Sequence, residues 1–192
     1  MVSIKRSSSV TARVLRRRRD MTDTLLALST ARCRIAPLTA DDVRALTEIT
    51  DETVTSKVDF LPTPFTESDA RALIAGSGRG DVFHAVRRVD GASLDGVIGV
   101  HRRLGGDYEI GYWFAARARG RGLATEAVRA VIDALSASQP GCSIVAECHP
   151  ENAPSRALLH RVGFVSTGLP GRRPRRVLLA WRSAPLDRID VC

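Results

Sequence analysis

The chain has 192 residues, 44% hydrophobic and 26% charged, enough for one sizeable core and ordinary for a globular protein. Its apolar runs are all too short to span a bilayer, so no membrane partner is expected. Cys33, Cys142, Cys148 and Cys192 show no close pairing of the C-x-x-C kind, which points to free thiols, no metal and a cytoplasmic setting.

The net charge of +8 is concentrated at the start, where Lys5, Arg6, Arg13, Arg16, Arg17, Arg18 and Arg19 stand against Asp20. The chain divides into a basic, disordered leader over residues 1–30, one domain over 31–185 and a short tail over 186–192. Three readings of the leader stay open. It is a disordered extension or an over-long start ahead of Met21, an organelle transit peptide, or an arm that contacts nucleic acid. A secretory signal fits poorly, because Asp20 and Asp23 interrupt the approach to the short apolar run LLAL.

Residues 31–37 read as a first strand ending at Pro37. Thr39 then precedes a helix over 40–50 with Val43, Leu46 and Ile49 inward. Pro62 and Pro64 punctuate the next stretch. Thr66 with Asp69 three residues on is a capping-box variant, opening a helix that runs to about Ile74. Residues 81–89 and 96–103 form a hairpin around Asp90-Gly91. His84 and His101 lie in these strands and read as structural.

The chain is organised around residues 108–125. Tyr108, Ile110, Tyr112 and Phe114 alternate with Glu109, Gly111 and Trp113, the period of a strand with two different faces. A basic glycine loop follows, and then a helix with Leu123, Ala124, Ala127, Val128, Val131, Ile132 and Leu135 on one stripe. A helix N-terminus has N–H groups without partners and partial positive charge, glycines permit close approach, and arginines add donors. The loop therefore suits an anion. A dinucleotide fingerprint needs glycine or alanine where Thr125 stands, and a P-loop needs Gly-Lys-Ser/Thr after the turn, so neither describes it.

Beyond the helix, residues 142–147 form a buried strand. Asn152 opens a helix with Ala157, Leu158 and Val162 at core spacing, and Gly163 ends it. Residues 164–167 and 175–181 are the last strands, joined by GLPGRRPRR.

Arg117-x-x-Gly120-x-Gly122 resembles the Gln/Arg-x-x-Gly-x-Gly/Ala signature of the GCN5-related N-acetyltransferases (GNAT). EIGYWF, GLATEAV and Asn152-x-x-Ser155 with Val162-Gly163-Phe164 resemble the RimJ/RimL-like branch that acetylates ribosomal proteins. Four motifs in order carry the resemblance over residues 32–182. It implies an α/β GNAT fold, a mixed, mostly antiparallel sheet of about seven strands with helices on both faces.

The resemblance also implies acetyl-CoA as co-substrate and roles for matching residues. Phe114 would bond the pantetheine arm through its main chain. Arg117, Arg119, Gly120, Arg121, Gly122, Leu123 and Ala124 would form the pyrophosphate loop. Asn152 would contact the pantetheine, and Ser155 would give a proton to the departing thiolate. Capping and first-turn roles are the alternative for Asn152 and Ser155. The family's acidic residue near the last strands is missing, and Glu109 on the central strand is its substitute as base; the alternative for Glu109 is a carboxylate paired with arginine on the sheet. The leading function is transfer of acetyl from acetyl-CoA to a primary amine: a protein N-terminus, amino acid, polyamine or antibiotic. The alternative is a non-catalytic acyl-CoA-binding module docked to RNA or the ribosome through the leader and residues 172–176. Either form would be a monomer or homodimer.

Overall fold

A computed structural model describes residues 27–182 apart from Arg79. The leader up to residue 26, Cys192 and the proposed tail lie outside the described residues.

Eight strands form a single sheet: β1 (Leu28–Ser29), β2 (Cys33–Pro37), β3 (Asp81–Arg88), β4 (Leu94–Arg102), β5 (Tyr108–Phe114), β6 (Ile144–Cys148), β7 (Phe164–Pro170) and β8 (Val177–Trp181). Their order is β1-β2-β3-β4-β5-β6-β8-β7, and every pair is antiparallel except β5–β6. Between β2 and β3 lie a 3-10 turn (Ala40–Asp42), α1 (Val43–Ile49), α2 (Glu52–Thr55) and α3 (Glu67–Ala75); α4 (Leu123–Ser138) links β5 to β6, and α5 (Ala153–Arg161) links β6 to β7. The mixed, mostly antiparallel α/β fold expected from the sequence is present, with β1 as an eighth strand and α2 as a further helix.

The helices cover both faces of the sheet. Trp113 points to the α1 side, where its Nε1 donates to Thr50 Oγ1 at 3.1 Å. Tyr112, next along β5, points to the opposite side and meets α5. The expected stripe on α4 packs as a face: Leu123, Ala127, Val128, Val131, Ile132 and Leu135 are buried. Each fully buried Val, Leu or Ile contributes about 1.5–3 kcal/mol, which holds α4 on the sheet and fixes where its first turn points.

Local signals set several boundaries. Thr66 N–H donates to Asp69 Oδ2 at 2.8 Å and Asp69 N–H to Thr66 Oγ1 at 3.3 Å, so the capping box forms as read. The helix expected over 40–50 begins as a 3-10 turn before α1. A register shift between Val86 and Arg87 lets β4 begin at Leu94 rather than residue 96. In α5, Leu158, Leu159 and Val162 are buried while Ala157 is exposed, so the inner face lies one residue away from the expected one. Among the described cysteines, Cys33, Cys142 and Cys148 are free thiols.

Candidate active site

Strands β5 and β6 pair only at Tyr108–Ile144 and Glu109–Val145, after which they part. Beyond that point β6 continues against β8 alone. Ala115 N–H bonds the Asp95 carbonyl on the β4 side. Hydrogen bonding alternates along an antiparallel strand, so the backbones of Tyr112 and Phe114 face the gap instead. A cavity of about 480 Å³ occupies the splay, with Gly111, Tyr112, Ala146 and Cys148 on its walls.

At one end of this cavity stands the glycine loop. Gly122 is the N-cap of α4 with φ 75°, in the left-handed region, and no side chain caps the first turn. Gly120 also has φ 75°, and a Cβ built there would meet nothing within 4 Å. Both conformations favour glycine. Arg32 secures the loop from below: its Nε lies 2.5 Å from Glu126 Oε2, and its Nη1 donates to the Arg121 carbonyl at 2.9 Å. Open amides and a helix dipole make this end of the cavity suited to a phosphate.

The expected loop residues divide by position. Arg119, Gly120, Gly122 and Ala124 line the cavity, as does Thr125. Arg119 Nε donates to the Phe114 carbonyl at 3.0 Å and its Nη2 to Thr53 Oγ1 at 3.1 Å, bridging the end of β5 to α2. Arg117 turns away: its Nη2 donates to the Leu94 carbonyl at 2.5 Å, and its Nε lies 3.4 Å from the buried Asp95. Leu123 is buried in the core and Arg121 is exposed, neither in the cavity lining. Phe114 lines the cavity, its carbonyl taken by Arg119.

On the α5 side, Asn152 Oδ1 accepts from Ser155 N–H at 3.3 Å, a capping bond. Ser155 Oγ stands 3.0 Å from the Tyr112 hydroxyl, which also reaches the Ser155 carbonyl at 3.2 Å. Burial pushes the Tyr112 phenol well above its ordinary range, so it stays protonated at neutral pH and is able to donate. Two hydroxyls therefore stand together beside the splay.

The opposite face of the sheet is walled by aromatic rings. Phe60, Phe83 and Trp113 form a triangle with centroids 6.1, 6.4 and 6.2 Å apart, and all three line the cavity. Gly99 and Gly111 pair across β4 and β5, leaving the floor between the rings without side chains. Below them runs a chain of charges. Glu109, 4% exposed, takes Arg173 Nη2 at 2.6 Å on one oxygen and Arg103 Nη2 at 2.7 Å on the other. Arg173 also reaches Glu147, whose oxygens accept from the N–H groups of Arg172 and Arg173 at 2.7 and 3.1 Å. Burial alone would raise the Glu109 pKa, but Arg173 and then Arg103 outweigh it and hold the carboxyl below its usual range. With both oxygens engaged, Glu109 is a poor proton acceptor, which weighs against the base role expected for it.

The cluster over 172–176 is likewise committed inward. Arg173 holds Glu109 and Glu147, and Arg176 reaches Asp59 Oδ2 at 2.9 Å and the Lys57 carbonyl at 2.7 Å. Of the four arginines in that cluster, Arg172 and Arg175 are exposed.

Tyr112, the aromatic triangle and Arg173 were not singled out as site residues by sequence reasoning. The available signal was Gly99 and Gly111, since glycine inside a strand often marks close approach of a ligand.

The splayed sheet thus stands beside an uncapped, glycine-led helix. Residues 32–165 match the family model described as acetyltransferase (GNAT) domain, and the chain belongs to that family. It is 30% identical over 146 residues to YnaD, an uncharacterized N-acetyltransferase of Bacillus subtilis (strain 168), covering 73% of this chain and 84% of the relative. Solved structures share the fold. A GNAT-family acetyltransferase from Bacillus anthracis superposes with a TM-score of 0.72 at 24% identity, over 80% of this chain and 96% of that one. RimJ of Mycobacterium smegmatis, in complex with CoA-disulfide, gives 0.68 at 21% identity, over 81% and 84%.

Proposed function

We propose that this protein moves the acetyl group of acetyl-CoA directly to a primary amine, on a protein N-terminus or a small molecule, in the manner of the RimJ/RimL-like branch. The observation that carries the reading is the splay itself. It opens one cavity onto an uncapped helix N-terminus at Gly122, free strand backbone at Tyr112, and the Tyr112–Ser155 hydroxyl pair.

The residues divide the work. Amides at Gly120, Gly122 and Ala124 face the pyrophosphate, and the backbone of Tyr112 and Phe114 runs alongside the pantetheine. Acetyl-CoA supplies the activated acyl group. The amine enters from the aromatic side, between Phe60, Phe83 and Trp113, so the two reactants meet through the sheet over Gly111. Attack forms the N–C bond, and the C–S bond breaks with its electron pair leaving on sulfur. Ser155, held by Tyr112, donates a proton to that sulfur and recovers one from solvent.

The test is release of free thiol from acetyl-CoA on addition of primary amines: a peptide with a free N-terminus, amino acids, a diamine and an aromatic ethylamine. Amine-dependent release supports transfer. Acetyl-CoA binding without release favours a non-catalytic acyl-CoA module. Commitment of Arg173 and Arg176 to internal carboxylates counts against residues 172–176 as its RNA-docking surface.

A further inference from the structure

We infer that His101, oriented by Asp81, is the base that takes the proton from the acceptor amine. This rests on the acetyl-transfer reading above and adds to it the residue that starts the reaction.

The geometry comes from strand register. His101 lies directly across from Asp81 on β3 and from Glu109 on β5. Residues paired in this way share a face of the sheet, so His101 stands on the aromatic side and lines the cavity. Its Nδ1 lies 2.8 Å from Asp81 Oδ1. The ionised carboxylate only accepts, so Nδ1 carries the hydrogen and Nε2 keeps its lone pair. The ring is held from two further directions. Phe83 meets it edge-on at 5.3 Å and 73°. Nε2 lies over Gly99, where a Cβ would fall 2.7 Å away, so only glycine there leaves this orientation open. An imidazole fixed by a carboxylate, with its other nitrogen toward the substrate space, has the arrangement of a general base.

The surrounding charges are compatible with that role. Burial lowers the His101 pKa below its ordinary 6.5, against the pull of Asp81; Arg103 lowers it further and Glu109 opposes. Arg173 faces the same cavity, with its charge spent on Glu109 and Glu147. The imidazole is therefore neutral at pH 7 and ready to accept. As the amine nitrogen attacks the thioester carbon, one N–H proton passes to Nε2 and later to solvent. The products are the amide and, after protonation at sulfur, the free thiol.

The experiment compares the full-length wild type with His101→Gln and Asp81→Asn, following thiol release from acetyl-CoA against pH at saturating concentration of the best amine in the panel above. Calorimetric binding of acetyl-CoA is measured alongside. His101→Gln should lower kcat at least about 100-fold, abolish the acidic limb of the kcat profile and leave acetyl-CoA affinity within about twofold. Asp81 is exposed, so its variant folds. As a positioning residue its loss should lower kcat and move the acidic limb to lower pH, because the carboxylate that favours the imidazolium is gone. Wild-type turnover with an unchanged limb in both variants would overturn the assignment and leave the transferase reading standing. No thiol release from the wild type with any amine would overturn both.

Discussion

The Tyr112 hydroxyl stands 3.0 Å from Ser155 Oγ, joining β5 to the first turn of α5 on the edge of the splay. Neither residue is placed by its own element alone. Tyr112 reaches the gap because β6 has left its side, and Ser155 sits where the Asn152 cap starts the helix. If this pair serves the departing thiolate, Ser155→Ala should lower turnover by about 100-fold while acetyl-CoA still binds. Tyr112→Phe should cost about tenfold, since the serine hydroxyl remains but loses its partner. If Ser155 only supports the helix start, the alanine variant should lose about 1 kcal/mol of stability and keep its turnover. Melting temperature and steady-state kinetics on the same samples separate these outcomes.

Gly120 and Gly122 share a left-handed backbone but not their surroundings. A side chain at Gly120 projects into open space, whereas one at Gly122 comes within 3.2 Å of the Arg32 guanidinium. Gly120→Val should therefore cost mainly backbone strain, about 1–2 kcal/mol, and weaken acetyl-CoA binding by blocking the approach to the loop amides. Gly122→Val should weaken binding too and lose more stability, because Arg32 must shift from the Arg121 carbonyl. Calorimetric titration with acetyl-CoA measures the first effect and thermal melts the second. Unchanged affinity in folded variants would remove the pyrophosphate from this loop.

Glu109 should behave as an anchor for Arg103 and Arg173. Its carboxyl is held below the ordinary 4.5 in the folded chain, so its charged form stabilises the fold above the unfolded-state pKa, and that contribution is lost as pH falls through the lower folded value. Glu109→Gln leaves two partly buried guanidinium groups short of a counter-charge, at a cost on the order of 3 kcal/mol at pH 7. The gap in melting temperature between wild type and variant should shrink below about pH 4. The acidic limb of the turnover profile should persist in the variant. Loss of that limb would restore Glu109 as the base.

The leader is expected to be dispensable. A chain beginning at Met21 keeps every described contact, including Thr30 Oγ1 to Glu126 at 2.5 Å and the Arg32 anchor beneath the glycine loop. It should retain its melting temperature and thiol release. A chain beginning at Arg34 loses both anchors to Glu126 and should bind acetyl-CoA more weakly. Equal affinity in the two would show that the loop holds its shape without them.

The sequence was most legible where the physics is local. Period-two alternation marked β5, the apolar stripe marked α4, and the Thr66–Asp69 box marked the start of α3. What it concealed depends on partners far along the chain. β1 is only two residues and exists through pairing with β2. Arg117 looked like a phosphate ligand beside two glycines, but buried Asp95 draws it away. His101 read as an isolated structural histidine. Register sets Asp81 beside it from twenty residues away, while the alternation of β4 itself puts Gly99 on the same face beneath the ring. GLPGRRPRR carries no acid, yet Glu147 from β6 and Glu109 from β5 reach Arg173 of that loop.

Transfer of acetyl from a thioester to an amine within the splayed cavity is the reaction proposed for this protein. Its most direct test is to mix the full-length protein with acetyl-CoA and the amine panel, recording free thiol and the mass of the amine product together. Thiol release should depend on both protein and amine and be matched one for one by acetylated amine. Tight binding of acetyl-CoA with no thiol and no acetylated product for any amine would contradict it.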